Sequence, residues 1–382
     1  MKVCLASSRL LWNATLGGHA WVNLNWVLGL EAVGAEVTLI ESFPERHGPE
    51  EALAALEGLL REARGLGVRA AVALLPAAGP ECDRLAGVRA ELERRTRPFD
   101  EAAADADLLL NFNYSLPQET VDRFARSALV DIDPGLLQMW LSGGAFAVAR
   151  HHVNFTIGET VGTPDARFSD CGMQWVWTPP PVHLRSWPPR PPVPGAPWTT
   201  VTNWWGEYEV DRGEPFNNEK RTAFLEVLDL PRRTASPLEL AIYHEPGNWN
   251  EFSMLQEHGW RARPAHEVSA TASGYRAYLQ GSRGEFSCVK PSCVRFQNAW
   301  ISDRTICYLA SARPAVVAHT GPSRFLPERE GLLRFRTPEE AVACLEEAEA
   351  DYERLARAAR ALAEEHFDAE RIAARVLERA VP

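Results

Sequence analysis

No run of apolar residues in this sequence reaches the roughly 20 needed to cross a bilayer as a helix. No basic stretch followed by an apolar one opens the chain; it starts at once with the strand-like run Lys2 to Ala6, so neither a membrane span nor a secretory leader is expected. No Cys-x-x-Cys pair occurs. The seven cysteines (Cys4, Cys82, Cys171, Cys288, Cys293, Cys307, Cys344) are odd in number and scattered, which points to reduced thiols and a cytoplasmic location. Cys288 and Cys293 have no partners at zinc-ligand spacing and read as structural. Positive charge is in deficit: 40 Lys and Arg stand against 51 Asp and Glu, a net charge of −11 that disfavours phosphate backbones and anionic membranes. No internal repeat and no G-x-G-x-x-G fingerprint is found. What is present is an ordinary folded composition, 46% hydrophobic and 24% charged, over a length that suits two domains at roughly 100–200 residues each. The excesses are 13 Trp and 28 Pro.

The first 175 residues read as strand–helix units. Val3–Ala6 is a short apolar strand, and a loop ending Gly17-Gly18-His19 leads to a helix carrying Val22, Trp26, Leu30 and Val33 at helical spacing. Gly34 stops that helix and Glu36–Ile40 forms the next strand, a start that suggests a doubly wound parallel sheet. Further strands are expected at Arg69–Leu75, Asp107–Phe112, Leu129–Ile132 and Val153–Ile157, with helices at Glu50–Ala63 and Glu81–Arg95. Nine prolines then fall between Pro179 and Pro197, and six Trp between Trp175 and Trp205. Such proline density admits no helix, yet so much aromatic surface calls for burial, so an ordered extended connection is expected. Alternation resumes after Trp198, with a strand Trp198–Asn203, helices at Asn218–Leu228, Asn250–His258 and Asp303–Ala312, strands at Glu239–Tyr243, Gly284–Val289, Ala315–Ala318 and Leu332–Phe335, and near-continuous helix from Pro338 to Ala380 broken near Phe367-Asp368. The expected divisions are a first lobe 1–178, a connection 179–197, a second lobe 198–365 and a C-terminal helix 366–382 packed back on the first lobe.

Several groups can carry chemistry. Gly17 and Gly18 let a ligand approach the backbone at a helix N-terminus, and His19 has the pKa of a general base; a tight turn with a surface histidine is the plain alternative. Asp131 and Asp133 fall at the end of a buried strand, where carboxylates can orient a sugar hydroxyl or take its proton, although Asp133 before Pro134 also fits an Asx turn. Glu159 sits at a similar edge, and His151-His152 point to opposite faces, so these read as rim or structural groups rather than a metal site. In the second half Arg283, Glu285, Lys290, Asp303 and Arg304 precede a helix, a strand and the turn Thr320-Gly321. The cations suit a diphosphate, Asp303 is either a helix cap or a ribose ligand, and the turn offers backbone N–H groups to phosphate. Trp204 and Trp205 offer stacking faces, with one of them expected to pack against the proline segment.

This arrangement resembles the GT-B glycosyltransferases, and the stretch Ser282 to Leu332 looks like bacterial spore-coat glycosyltransferase-like proteins: Cys307-Tyr308-Leu309-Ala310-Ser311-Ala312-Arg313-Pro314 stands where they carry a small-residue helix running into a Lys/Arg-Pro-Val-Val strand. Gly17-Gly18-His19 and Ile157-Gly158-Glu159 add to the likeness. The resemblance implies an α/β chain of two Rossmann-like lobes facing a cleft, with the C-terminal helix crossing back. It also implies a transfer of sugar from a nucleoside-diphosphate sugar to a hydroxyl-bearing small molecule or natural product, without metal or cofactor. Where many retaining relatives place a ribose-binding Glu, this chain has Cys307, so that contact would fall to Asp303 or Glu285. Arg304 carries the cation that relatives hold three residues earlier. The expected donor residues are Gly17, Gly18, Arg283, Glu285, Lys290, Asp303, Arg304, Thr320 and Gly321. His19 and Asp131 are the expected catalytic groups, and Asp133, Glu159, Trp204 and Trp205 line the acceptor side. A nucleotide-sugar epimerase and a non-catalytic nucleotide-sugar binder stay open as alternatives, as does a homodimer.

Overall fold

Among the described residues thirteen short strands assemble into two parallel sheets, whose inner strands are apolar enough to be covered on both faces. The computed structural model describes residues 1–7, 10–11, 17–44, 47–76, 84–144, 146–243 and 249–381. The first sheet holds β1 (Lys2–Ala6), β2 (Glu36–Glu41), β3 (Ala71–Leu74), β4 (Leu108–Asn111), β5 (Ser127–Asp131), β6 (Val153–Thr156) and β7 (Trp175–Trp177), in spatial order β3-β2-β1-β4-β5-β6-β7. The second holds β8 (Trp198–Asn203), β11 (Leu238–Tyr243), β12 (Arg261–Pro264), β13 (Gly284–Ser287), β14 (Ala315–Ala318) and β15 (Leu332–Phe335), in order β12-β11-β8-β13-β14-β15. Between β8 and β11 in sequence, β9 (Tyr208–Asp211) and β10 (Glu214–Asn217) form a separate antiparallel hairpin. The order of each sheet reverses direction beside its first strand, which opens a crevice outside the carboxyl ends.

The proline segment is packed. Val182 and Trp187 are fully buried, and Trp187 meets Trp21 of the first lobe edge-on at 4.7 Å and Tyr275 of the second at 6.4 Å. Arg313, also fully buried, donates to the carbonyls of Arg190, Pro191 and Gln280 at 2.8–2.9 Å and so pins the segment to the second lobe. The tail breaks twice, giving helices Pro338–Ala350, Tyr352–His366 and Ala369–Ala380; the first break, at Asp351, was absent from the sequence expectation. Helix Ala369–Ala380 lies against helix Gly17–Ala32, where Gly29 allows an approach so close that a Cβ would meet the Ala369 carbonyl at 2.6 Å. Phe367 and Ala369 bond Val182 through their backbones, so the chain's two passages between the lobes run side by side.

Some expected elements differ. The helix placed at Glu81–Arg95 is described only as a short turn at Ala86–Val88 and a helix Arg89–Arg95, with residues 81–83 outside the described set. The hairpin β9–β10 and the edge strand β12 escape an apolar-run criterion because their sequences, YEVD, EPFN and RARP, are charged. No helix among the described residues is long and apolar enough to cross a membrane, and the six described cysteines are all free.

Candidate active site

The carboxyl edges of the two sheets face each other across a cavity of about 290 Å³. Gly18, His19 and Val22 reach it from the helix after β1, and Ile132 to Pro134 from the turn after β5. From the second lobe come Val201 to Asn203 at the end of β8, Tyr243 at the end of β11, and Lys290 after β13. The lobes close tightly around it. Gly17 and Gly18 permit this, because a Cβ on Gly17 would lie 2.1 Å from the Thr271 carbonyl and one on Gly18 2.9 Å from the Tyr275 ring. The Trp21 indole N–H donates to the Ala272 carbonyl at 2.7 Å, and the Asn298 amide to that of Pro134 at 2.7 Å. Gly17 therefore serves lobe contact rather than the cavity, which Gly18 and His19 do line.

Asp131 lies beneath the cavity and not in it. Its fully buried carboxylate accepts from Tyr114 Oη (3.1 Å), Gln138 Nε2 (2.9 Å), Thr156 Oγ1 (2.8 Å) and the Asp133 backbone N–H (3.0 Å). Burial pushes its pKa up to about 6, while the donors pull it down. All its lone pairs of practical use are taken, so the expectation of a catalytic Asp131 is corrected: it is a positioning residue that holds the following turn. That turn presents Asp133, which lines the cavity 3.5 Å from Lys290 Nζ, and it is Asp133 above all that raises the Lys290 pKa.

Of the three expected diphosphate cations, one is misplaced. Arg283 precedes β13 and so sits at the amino edge of the sheet, away from the crevice; its guanidinium pairs with Glu349 at 2.7 Å and lies 3.4 Å over the Tyr352 ring. Arg304 does line the cavity, but each of its nitrogens already donates inside the second lobe, to Glu285 (2.7 Å), the Val201 carbonyl (3.0 Å) and Ser287 Oγ (2.6 Å). Glu285, fully buried, is thereby a partner of Arg304 and not a ligand group. The cation that sequence reasoning overlooked is Lys220, the first residue of helix Lys220–Glu226. It lines the cavity, its ammonium makes no hydrogen bond among the described residues, and burial, together with the nearby Arg304 and Lys290, lowers its pKa to about 7. Its position at the start of the first helix of the second lobe was the available signal. Asp303 faces the same cavity with its carboxyl pushed up to about 6 by burial; the cap of its helix is Ser302, whose hydroxyl accepts from the Arg304 N–H.

The remaining expected residues hold the lobes or the core. Glu159, buried, accepts from Ser323 Oγ (2.5 Å), the Arg324 N–H (2.8 Å) and Arg324 Nε (2.7 Å), which makes it a clamp between lobes. Trp204 is fully buried in the second core and donates to Glu251 at 2.9 Å. Trp205 is half-buried, with the Arg221 guanidinium over its ring at 5.5 Å; neither tryptophan reaches the cavity. Thr320 donates to the Trp300 carbonyl at 2.7 Å, and Gly321 packs at φ +133° on Gln297, so this turn supports Trp300 from behind instead of meeting phosphate. Tyr275 and Trp300 are lining residues that the sequence did not single out.

Comparison with known proteins bears on this geometry. AviGT4, a glycosyltransferase involved in Avilamycin A biosynthesis, superposes with a TM-score of 0.54 at 12% identity, over 100% of this chain and 97% of its own. A glycosyltransferase from Rickettsia africae gives a TM-score of 0.53 at 9% identity, over 99% of this chain and 97% of its own. The chain has the GT-B glycosyltransferase fold. The Anabaena protein HepE, solved with UDP and glucose, also shares it, with a TM-score of 0.51 at 10% identity and 99% coverage of both chains. Residues 221–378 of this GT-B chain match the family model described as glycosyl transferase-like, which spans most of the second lobe. No curated protein matches the chain. Fold and family match together support a glycosyltransferase enzyme.

Proposed function

We propose that the chain transfers a sugar from a nucleoside-diphosphate sugar to a hydroxyl-bearing acceptor. The observation that carries this reading is the pair Lys220 and Lys290, two lysines facing one interlobe cavity at the carboxyl ends of both sheets, in a protein whose net charge is −11. A diphosphate held between them would have its leaving charge met as the bond to the anomeric carbon breaks. Arg304 adds positive potential from behind without giving up its own partners. In this reading the countercharge comes from these side chains and not from a metal ion. The acceptor oxygen forms the new bond to the anomeric carbon, its proton leaves, and the nucleoside diphosphate departs. Asp133 and His19 both line the first-lobe wall and in this reading receive that proton. Asp303, on the opposite wall and partly protonated near neutrality, suits a sugar or ribose hydroxyl that can both donate and accept. HepE, solved with UDP and glucose, makes uridine the first base to try. The test is a calorimetric and thermal-shift panel of nucleosides, nucleoside diphosphates and nucleotide sugars. A diphosphate or nucleotide sugar is expected to bind at least tenfold more tightly than the nucleoside alone; equal affinities would overturn the reading.

A further inference from the structure

A second cavity, of about 880 Å³, opens beside the first. Helix Leu136–Ser142 and the loop at 166–169 wall it from the first lobe, and the β9–β10 hairpin from the second. The helix links the two spaces, since Leu136 at its start faces the first cavity and Met139 and Trp140, a turn later, face the second. The carboxylate of Glu209, on the hairpin, is close enough to add to the charge that raises the Lys290 pKa. Several of its polar lining groups are already bonded. Trp140 Nε1 donates to Glu209 at 2.8 Å, Asp211 accepts from Arg295 at 2.9 Å, and Arg212 donates to the Arg167 carbonyl at 3.3 Å. Tyr208 is 71% exposed and Val210 59%, which places them among the few large apolar side chains left in solvent among the described residues. Two apart on one strand, they present the same face of the hairpin. Folding gains nothing from that exposure; a ligand would.

We infer that this second cavity seats an apolar, ring-bearing hydroxyl compound, the acceptor class of the transfer, with its ring against Trp140, Tyr208 and Val210 and its hydroxyl directed along helix Leu136–Ser142 toward Asp133 and Lys290. The term acceptor rests on the function proposed above; the cavity and its preference do not. The volume suits a ligand of drug size, and flat faces on both sides favour a ring system over an extended sugar chain. The test is calorimetric titration of the full chain with 2-naphthol, and with methyl glucoside as the hydrophilic comparison. Saturable naphthol binding is expected, with methyl glucoside failing to compete. The double variant Tyr208→Asp, Val210→Asp is expected to weaken naphthol binding tenfold or more, while Val294→Asp, at an exposed apolar residue off this cavity, leaves it within twofold; both variants must keep the parental thermal midpoint, as exposed positions should. Equal losses in the two variants, absence of saturation, or competition by methyl glucoside would overturn the inference. UDP is titrated in parallel: its failure to bind while naphthol behaves as expected overturns the donor reading alone, and the reverse pattern overturns this one alone.

Discussion

Lys220→Met separates a binding cation from a structural one. A lysine whose pKa is lowered from 10.5 to about 7 holds its proton in the free protein only below that value. A diphosphate beside it restores the charge, so binding takes up a proton above pH 7 and affinity must fall as pH rises. One unit above the midpoint roughly a tenth of the group is charged, so the affinity for UDP-glucose, the nucleotide sugar of the proposed reading, should drop about tenfold between pH 6 and pH 8. Its diphosphate is a diester with no proton to lose in that range, which leaves the protein as the source of the effect. At pH 6 a charge-assisted hydrogen bond contributes about 1.5–3 kcal/mol, so Lys220→Met should weaken binding by about 10- to 150-fold and flatten the pH profile. Stability moves the other way. The folded pKa lies below the unfolded one, so the group's penalty is fully present below about pH 7, shrinks as pH rises toward 10.5, and disappears with methionine. The assay is calorimetry in two buffers of different ionisation enthalpy, which counts the proton, alongside a melting curve. A pH-independent affinity, or a variant that loses both binding and melting temperature, would refute the reasoning.

Arg283→Ala should leave nucleotide-sugar affinity within twofold while lowering the melting temperature, since its Glu349 and Tyr352 contacts lie at the amino edge of β13; a tenfold loss of affinity would put the diphosphate at the wrong end of the sheet. Arg313→Met should destabilise the fold by at least ~3 kcal/mol in urea titration, because three carbonyls, of Arg190, Pro191 and Gln280, lose their donor at a cost of about 1–3 kcal/mol each where buried. A loss below ~1 kcal/mol would show that water reaches the proline segment.

The lobes were legible because a parallel sheet covered on both faces demands apolar strands, and Val3–Ala6, Leu108–Asn111 and Ala315–Ala318 meet that demand in four residues each. The hairpin was not, since Tyr208–Asp211 and Glu214–Asn217 lie outside either core and keep charged residues. For Arg283, strand direction was the unused information. A residue that follows its strand in a parallel sheet lies at the carboxyl edge, as Asp133 and Lys290 do; one that precedes it, as Arg283 does, lies at the other. Burial was the quantity that no spacing rule carries. Asp131 and Asp133 look equivalent in the sequence, yet one has four donors around it and the other faces the cavity. Glu285 and Arg304 likewise look like two ligand groups, yet they pair with each other inside the second lobe.

Helix Ala369–Ala380 fills a face of the first lobe, with Ile372, Ala373, Val376 and Ala380 buried and its last carbonyl held by Arg126 at 2.9 Å. During synthesis the ribosome delivers that lobe's strands before this helix, with the whole second lobe emerging between them. The first lobe must therefore wait, its groove along helix Gly17–Ala32 uncovered, until residues 369–380 leave the exit tunnel. A premature stop anywhere in the second lobe would release a chain with an apolar groove and nothing to close it, a substrate for chaperones and proteases rather than a smaller working enzyme.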